Sequence, residues 1–285
     1  MKVSVLASGS KGNCTYIEGS SGALMIDAGR SAREILGTRD KGGRLKEAGG
    51  RSDIIEAILV THEHTDHIRG LLPLGKSLEV PVIGTGGTLG VVAGSLTSKK
   101  PVILDSIKHN EKRKIGEFTI TPFPVSHDAT DPCGFFIEES SEKICFCTDT
   151  GVVTSHMMDM LKKADGIILE SNHCHKMLMN GPYPAFLKRR IASQRGHLSN
   201  DDAGKVLNEL AGSIHFAILA HLSEENNEPD IAMTSAWQAL GFYSDDTELF
   251  AASSVDFINK PPIRKQVRED PDVCSDECWK ISITL

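Results

Sequence analysis

Residues 57–67 read Ala-Ile-Leu-Val-Thr-His-Glu-His-Thr-Asp-His, an apolar run that ends in His62, His64, Asp66 and His67. The run has the length and character of a buried strand, and the polar cluster begins where that strand must end. Neutral imidazoles and a carboxylate are preferred ligands of zinc and its neighbours. In a core, each of these groups would need its own hydrogen-bonding partner, and packing them together would be costly. The segment therefore predicts a metal site at the mouth of a sheet.

Outward from this segment, short apolar runs recur: Val3 to Leu6, Ala23 to Ile26, Pro81 to Ile83, Phe118 to Ile120, Gly134 to Ile137, Lys143 to Cys147, Gly166 to Leu169 and Phe216 to Ala220. Several are apolar at every position, which predicts strands covered on both faces. Helical spacing appears over Asn200 to Gly212 behind Ser199 or Asn200 as cap, around Met157, Met158 and Leu161, and from Ile231 to Leu240 with Pro229 near its start. Interleaved helices and doubly buried strands predict an α/β (α+β) protein with helices covering its sheets. Hydrophobic content of 40% and charged content of 24% are those of a globular chain of 285 residues. A net charge of −7 argues against a generic polyanion binder but permits a local basic patch. No apolar stretch is long enough for a bilayer, and MKVSVLASGS lacks a signal-peptide pattern, so a cytoplasmic protein with no membrane partner is expected. Seven cysteines, an odd number, argue against a disulfide scaffold. Cys145 and Cys147 alternate and should pack together on one strand face, while Cys274 and Cys278 could bind a metal together.

A metal centre needs further ligands, and three apolar runs end in one each: His127 after Phe123 to Ser126, Asp149 after Cys145 to Thr148, and His221 after Ile218 to Ala220. The order HxHxDH, His, Asp, His resembles the metallo-β-lactamase fold superfamily. The resemblance implies a four-layer αββα sandwich over residues 1–260, and the polar, Pro-Pro segment from Pro261 to Asp276 predicts a tail or surface extension over residues 261–285. The resemblance also implies that His62, His64 and His127 hold one ion, and that Asp66, His67, Asp149 and His221 hold a second, with Asp149 bridging. Asp27 in LMIDAG matches the superfamily's early structural Asp rather than a ligand. Two divalent ions are therefore expected, with Zn2+ favoured over Mn2+ or Fe2+. Such a pair suits phosphodiester hydrolysis by a bridging hydroxide that Asp66 would help orient.

The leaving oxygen also needs a proton donor. His197 opens the helix at Asn200, where the helix dipole disfavours its cation, so an acidic partner is required, and Glu170 at the end of the run Gly166 to Leu169 is the candidate. The pair resembles that of RNase Z enzymes; the plain alternative for His197 is a capping role. LASGSKGNCTYIE, SHDATDPCGF, TDTG, LESNHCHKML, GHLSN and LAHLSEENN together resemble the YycJ/WalJ group, which implies exonuclease action on DNA from a 5′ end. That group usually reads LESNHD, whereas here Cys174 and His175 follow His173. His173 could lie near the metals or substrate, and Cys174 and His175 read as surface or supporting residues.

Candidate substrate contacts are Ser10 and Asn13 in a Gly-rich loop that either holds a phosphate or only shapes a turn, and Arg190 and Arg195 in a basic stretch with Lys188 and Arg189 that leads into His197. A second basic run from Lys108 to Lys114 reads as an exposed loop. With aromatic content of 5%, a broad stacking platform is not expected. The expected substrate is a nucleic-acid end, DNA before RNA; the alternatives are a phosphodiesterase acting on small cyclic nucleotides or RNA ends, and a non-catalytic metal-binding regulator. Oligomeric state and the direction of digestion are not legible.

Overall fold

Successive side chains of a strand face opposite ways, and in this chain both ways lead into hydrophobic packing. The computed structural model describes residues 1–94, 102–252 and 282–284. The first sheet contains β1 (Lys2–Ala7), β2 (Cys14–Glu18), β3 (Ala23–Ile26), β4 (Ile55–Val60), β5 (Val82–Gly84) and β6 (Leu104–Ser106) in that spatial order. The second contains β7 (Arg113–Ile115), β8 (Phe118–Pro124), β9 (Cys133–Glu139), β10 (Glu142–Cys147), β11 (Gly166–Glu170), β12 (Phe216–Ala220) and β13 (Glu248–Ala251), again as neighbours in sequence order. A last strand, β14 (Ser282–Thr284), pairs antiparallel with β1 and makes the first sheet seven-stranded. Helices α1 (Ala32–Leu36), α2 (Arg44–Glu47), α3 (Thr65–Ile68), α4 (Leu71–Leu78) and α5 (Gly86–Gly94) belong to the first half of the chain. Helices α6 (Ser155–Leu161), α7 (His175–Asn180), α8 (Ala185–Ile191), α9 (Asn200–Leu210) and α10 (Pro229–Leu240) belong to the second.

Strand parity decides the layers. Ala57 and Leu59 of β4 meet Ile144 and Phe146 of β10 and Ile168 of β11 in a core between the two sheets. Ile58 and Val60, one residue out of phase, pack instead against Ile35, Leu71, Leu74 and Leu89 from α1, α4 and α5. On the far side Cys145, Cys147, Leu169 and Leu219 meet Met157, Leu161, Leu207, Met233 and Leu240 from α6, α9 and α10. Helix, sheet, sheet, helix is the αββα sandwich, with one apolar core for each interface between layers. Each fully buried Leu, Ile or Phe contributes about 1.5–3 kcal/mol of burial free energy. The two central cysteines behave as small hydrophobes, and burial raises both thiols well above their ordinary range, which makes them poor nucleophiles.

The apolar runs named above all form strands. The sequence does not set apart β2, β6, β7, β13 and β14; of these, β6 and β7 are short, half-exposed and at sheet edges, whereas β2 is buried between β1 and β3. The basic run 108–114 is thus partly the edge strand β7, where charged side chains blunt further pairing. Cys274, Cys278 and the stretch from Pro261 to Asp276 lie outside the described residues. Among those described, no helix is long and apolar enough to cross a membrane.

Candidate metal centre

The parallel pairings β3–β4 and β10–β11–β12 bring the carboxyl ends of these strands to one edge of the sandwich. Asp27, His62, Asp149 and His221 directly follow, or lie within two residues of, the ends of β3, β4, β10 and β12, and Glu170 is the last residue of β11. Asp27, Asp149 and His221 adopt left-handed backbone, with φ of 58°, 55° and 56°. That conformation is uncommon for residues with a Cβ and costs about 1–2 kcal/mol each. Surrounding contacts must therefore hold it. The amide of His221 donates to the buried hydroxyl of Ser8 at 2.8 Å, and Asn172 Nδ2 donates to the His221 carbonyl at 2.8 Å.

The donor atoms gather in overlapping groups. His62, His64 and His127 form one; Asp66, His67 and His221 form another; Asp149 shares a third with His62 and His67 and a fourth with Glu170, His197 and His221, and within each group the donor atoms lie within 4.8 Å of one another. Asp149 stands between the halves: its carboxylate oxygens are 3.4 Å from His67 Nε2, 3.5 Å from His221 Nε2 and 3.9 Å from His127 Nε2.

Each imidazole is oriented by what its other nitrogen does. His67 Nδ1 donates to Asp27 Oδ2 at 2.7 Å, His127 Nδ1 donates to the Gly196 carbonyl at 3.0 Å, and His221 Nδ1 donates to Glu170 Oε1 at 3.1 Å. Thr61 Oγ1 spends its proton on Asp27, so it accepts from His62 Nδ1 at 3.0 Å. In all four rings Nε2 is left to face the cluster, an arrangement that fixes the tautomer a metal ligand needs. His64 instead turns Nδ1 toward His127 Nε2 at 3.2 Å.

Within this donor set, two buried atoms have no protein hydrogen bond, His62 Nε2 and Asp149 Oδ2. Unpaired buried acceptors cost about 1–3 kcal/mol apiece, and a cation ligated by both removes that penalty. The electrostatics point the same way. Burial works against charge on His221, but Asp149, Asp66 and Glu170 outweigh it and lift the imidazole to about 10. Burial opposes charge on His67 as well, and Asp149 and Asp27 overcome it. His62, deep among the other rings, is held neutral by burial and by its neighbours His67, His127 and His64. Clustered carboxylates thus hold positive charge wherever the geometry offers it. The donor set fits divalent metal ions.

Beside the cluster, His197 Nδ1 lies 2.7 Å from Glu170 Oε1. Glu170 is fully buried, and its other oxygen accepts from the amides of Thr150 at 2.8 Å and Leu198 at 3.1 Å. Burial would raise this carboxyl, but His197 and His221 hold it well below the usual range. The His197 side chain is 20% exposed, so the imidazole spans from the buried carboxylate to the surface. It is not the helix cap: Ser199 is, accepting from the Asp202 amide at 3.1 Å.

The remaining candidates divide. Asn13 is buried; its Nδ2 lies 3.0 Å from His67 Nε2 and 3.2 Å from Asp66 Oδ2, while its Oδ1 accepts from Gly9 N. The amides of Gly12 and Asn13 are also bonded within the protein, and Ser10 is exposed at the tip of the turn. Arg190 Nε donates to Asp128 Oδ2 at 2.6 Å, and Arg195 donates through Nε and Nη2 to the His127 carbonyl at 3.2 and 3.1 Å. Both arginines therefore brace the segment that carries His127. His173 is buried, whereas Cys174 is half-buried and His175 exposed. Thr61, Asn172 and the Gly196 carbonyl are not singled out by the sequence. Thr61 and Asn172 stand beside motif residues, which was their only signal.

The beta-lactamase superfamily domain matches residues 24–222. The exodeoxyribonuclease YycJ of Bacillus anthracis is 35% identical over 243 residues, covering 83% of this chain and 88% of that protein. The exodeoxyribonuclease WalJ of Streptococcus pneumoniae is 35% identical over 236 residues, covering 81% and 85%. Among solved structures, the metallo-β-lactamase fold protein YhfI of Bacillus subtilis superposes with a TM-score of 0.66 at 18% identity, covering 89% of this chain and 97% of that one. A domain match over more than half of the chain and relatives at 35% identity across most of it agree with the paired sheets of the fold, and this chain belongs to the β-lactamase superfamily, in the family of the exodeoxyribonucleases YycJ and WalJ.

Proposed function

We propose that this chain is a metal-dependent exodeoxyribonuclease that removes nucleotides from the 5′ end of DNA, with zinc as its resident metal. One observation carries the reading: the Glu170–His197 pair, joined at 2.7 Å, stands directly against a convergent set of imidazole and carboxylate donors. His62, His64 and His127 would hold one ion, and Asp66, His67 and His221 a second, with Asp149 shared. Divalent ions bound there would neutralise phosphodiester charge and supply a nucleophile at neutral pH. Nitrogen-rich donors on one side and mixed nitrogen and oxygen donors on the other suit zinc, with manganese or iron as competitors in the second position.

The protein's own share is proton handling and orientation. Glu170 fixes the proton of His197 at Nδ1 in the neutral ring and stabilises the imidazolium when Nε2 is also protonated. His197 then donates its Nε2 proton to the departing oxygen. Glu170 does this while also holding His221, so one carboxylate aligns the proton donor with the metal cluster. Asn13 fixes the orientation of Asp66 and His67, and Arg190 and Arg195 fix that of the His127 segment.

The test is hydrolysis of matched 5′-labelled and 3′-labelled single strands of DNA and RNA, with elemental analysis of the purified protein. The expected result is progressive release of mononucleotides from the 5′ end of DNA by zinc-containing protein. Inactivity on every oligonucleotide, with robust turnover of a cyclic phosphodiester, would sink the reading in favour of a small-substrate phosphodiesterase.

A further inference from the structure

Three chain segments meet around Glu170. Its own segment runs from the end of β11 to His173. One neighbour, His197 to Asn200, enters α9; the other, His221 to Asn227, leaves β12. Backbone hydrogen bonds tie the middle segment to both: the amide of Asn172 donates to the Leu198 carbonyl at 2.9 Å, and the amide of Ser223 donates to the Asn172 carbonyl at 2.8 Å. The two outer segments also hold each other directly, through the side chains of Asn200 and Asn227. Asn200 Nδ2 donates to Asn227 Oδ1 at 2.8 Å, and Asn227 Nδ2 returns the bond to Asn200 Oδ1 at 2.9 Å. Asn227 Nδ2 reaches the Ser171 carbonyl at 2.9 Å as well, and the Ser171 hydroxyl donates to Asn200 Oδ1 at 2.7 Å. All three side chains are buried.

Stability does not call for this pair. Helix α9 is capped by Ser199, and replacing both partners of a buried hydrogen bond by apolar groups of the same shape costs little. A satisfied buried polar network does what apolar packing does not: it specifies one arrangement. That arrangement stands where precision matters, because each outer segment delivers one imidazole to the same carboxylate oxygen. His197 Nδ1 lies 2.7 Å and His221 Nδ1 3.1 Å from Glu170 Oε1. We propose that Asn200 and Asn227 are positioning residues: their amide pair fixes the segment of the proton donor His197 in register with the segment of His221, and so aims His197 at the leaving oxygen. This rests on the nuclease reading above and deepens it, since the donor is then held to the cluster twice, by Glu170 and by the amide pair. A displacement of the donor by about 1 Å is enough to cost on the order of 10²-fold in rate.

The experiment uses the full zinc-loaded chain and single-turnover cleavage of a 5′-labelled DNA oligonucleotide, offered both alone and annealed to its complement. Asn227→Asp keeps the volume but removes the two donor protons. The double variant Asn200→Leu with Asn227→Leu keeps buried packing and removes the amide pair, so it reads the role even if the single variant folds poorly. Each is expected to lower the cleavage rate on the order of 10²-fold, with zinc content and oligonucleotide affinity at the parent level. In a His197→Ala background the same substitutions are expected to lower the rate no further, because a misplaced donor and a missing donor fail at the same step. A general structural role would instead add its loss to that of His197→Ala. A parent-like rate in the double variant, an undiminished loss in the His197→Ala background, or a loss of zinc matching the loss of rate would each overturn the positioning role and leave the nuclease reading in place. If the parent cuts DNA in neither form, the nuclease reading falls and the positioning role falls with it.

Discussion

His67 Nδ1 lies 2.7 Å from Asp27 Oδ2, with both side chains buried and Asp27 itself in a left-handed backbone conformation. The same carboxylate accepts from the amide and hydroxyl of Thr61, and that hydroxyl accepts from His62. One residue that ligates nothing thus orients imidazoles from both halves of the cluster. Asp27→Asn should keep the volume but remove the charge that favours a proton at Nδ1 of His67. Metal affinity is expected to fall about 10–100-fold, the usual effect of losing a carboxylate behind a ligating imidazole. Competition with a chromophoric chelator measures it; unchanged affinity would deprive Asp27 of this role.

The proton donor and the metal ligands are separable by substitution. His197→Ala is expected to lower turnover by roughly 10²–10⁴-fold while the bound metal stays at the parent level. Glu170→Gln should lower turnover comparably, because the amide no longer fixes the His197 proton at Nδ1. Elemental analysis beside kcat distinguishes these outcomes. Loss of metal in His197→Ala would make His197 a ligand instead.

Which parts of this were legible in the sequence follows from chemistry that is local in the chain. Strands β4, β10 and β12 are short apolar runs bounded by polar residues, and His62, Asp149 and His221 stand where such a run stops. Strands β6 and β7 escaped because edge strands bury little and carry charge, so their pattern matches that of a loop. Exposed loops and basic runs often serve a substrate, so the sequence alone points Asn13 and the two arginines toward it. Their hydrogen bonds to Asp66, Asp128 and the His127 carbonyl depend on chain crossings that no local pattern encodes. Gly29 illustrates the same limit. A Cβ built on it would sit 1.6 Å from the Asp66 carbonyl oxygen, although 37 positions separate the two in sequence.

That close approach makes Gly29→Ala a severe substitution. Backbone carbonyl cannot yield as a flexible side chain can, so the segment carrying Asp66 and His67 must move. A destabilisation above about 3 kcal/mol is expected, together with reduced metal content. Denaturant unfolding measures the first, elemental analysis the second. A variant as stable as the parent would mean that the two segments can separate without cost.

Metal loading and pH are linked through His221 and His67. With His221 raised from 6.5 to about 10 in the metal-free protein, the native state holds a proton that the unfolded state releases in that window. The stability this contributes is fully present below pH 6.5 and is lost as pH rises through about 10. A metal must displace these protons, so binding should release protons and tighten as pH rises. Calorimetry of zinc binding in buffers of different ionisation enthalpy reads the proton count directly. The chelated protein should lose thermal stability between pH 7 and 9, and the loaded protein should not. Equal slopes in the two states would contradict the assignment of His67 and His221 as ligands.

His173 gives a linkage of the opposite sign. Burial, against the pull of Glu170 and with the push of His197, lowers it from 6.5 to about 4. The unfolded chain therefore takes up a proton below pH 6.5 that the native protein refuses until pH 4. Native stability falls as pH drops across that window, by about 3 kcal/mol at most for this one group. His173→Gln should remove the term, since a glutamine does not titrate. Chemical unfolding of chelated parent and variant at pH 7 and pH 4.5 isolates it: the parent should lose more stability between the two pH values than the variant does. Parallel losses would show that His173 takes up its proton without resistance from the fold.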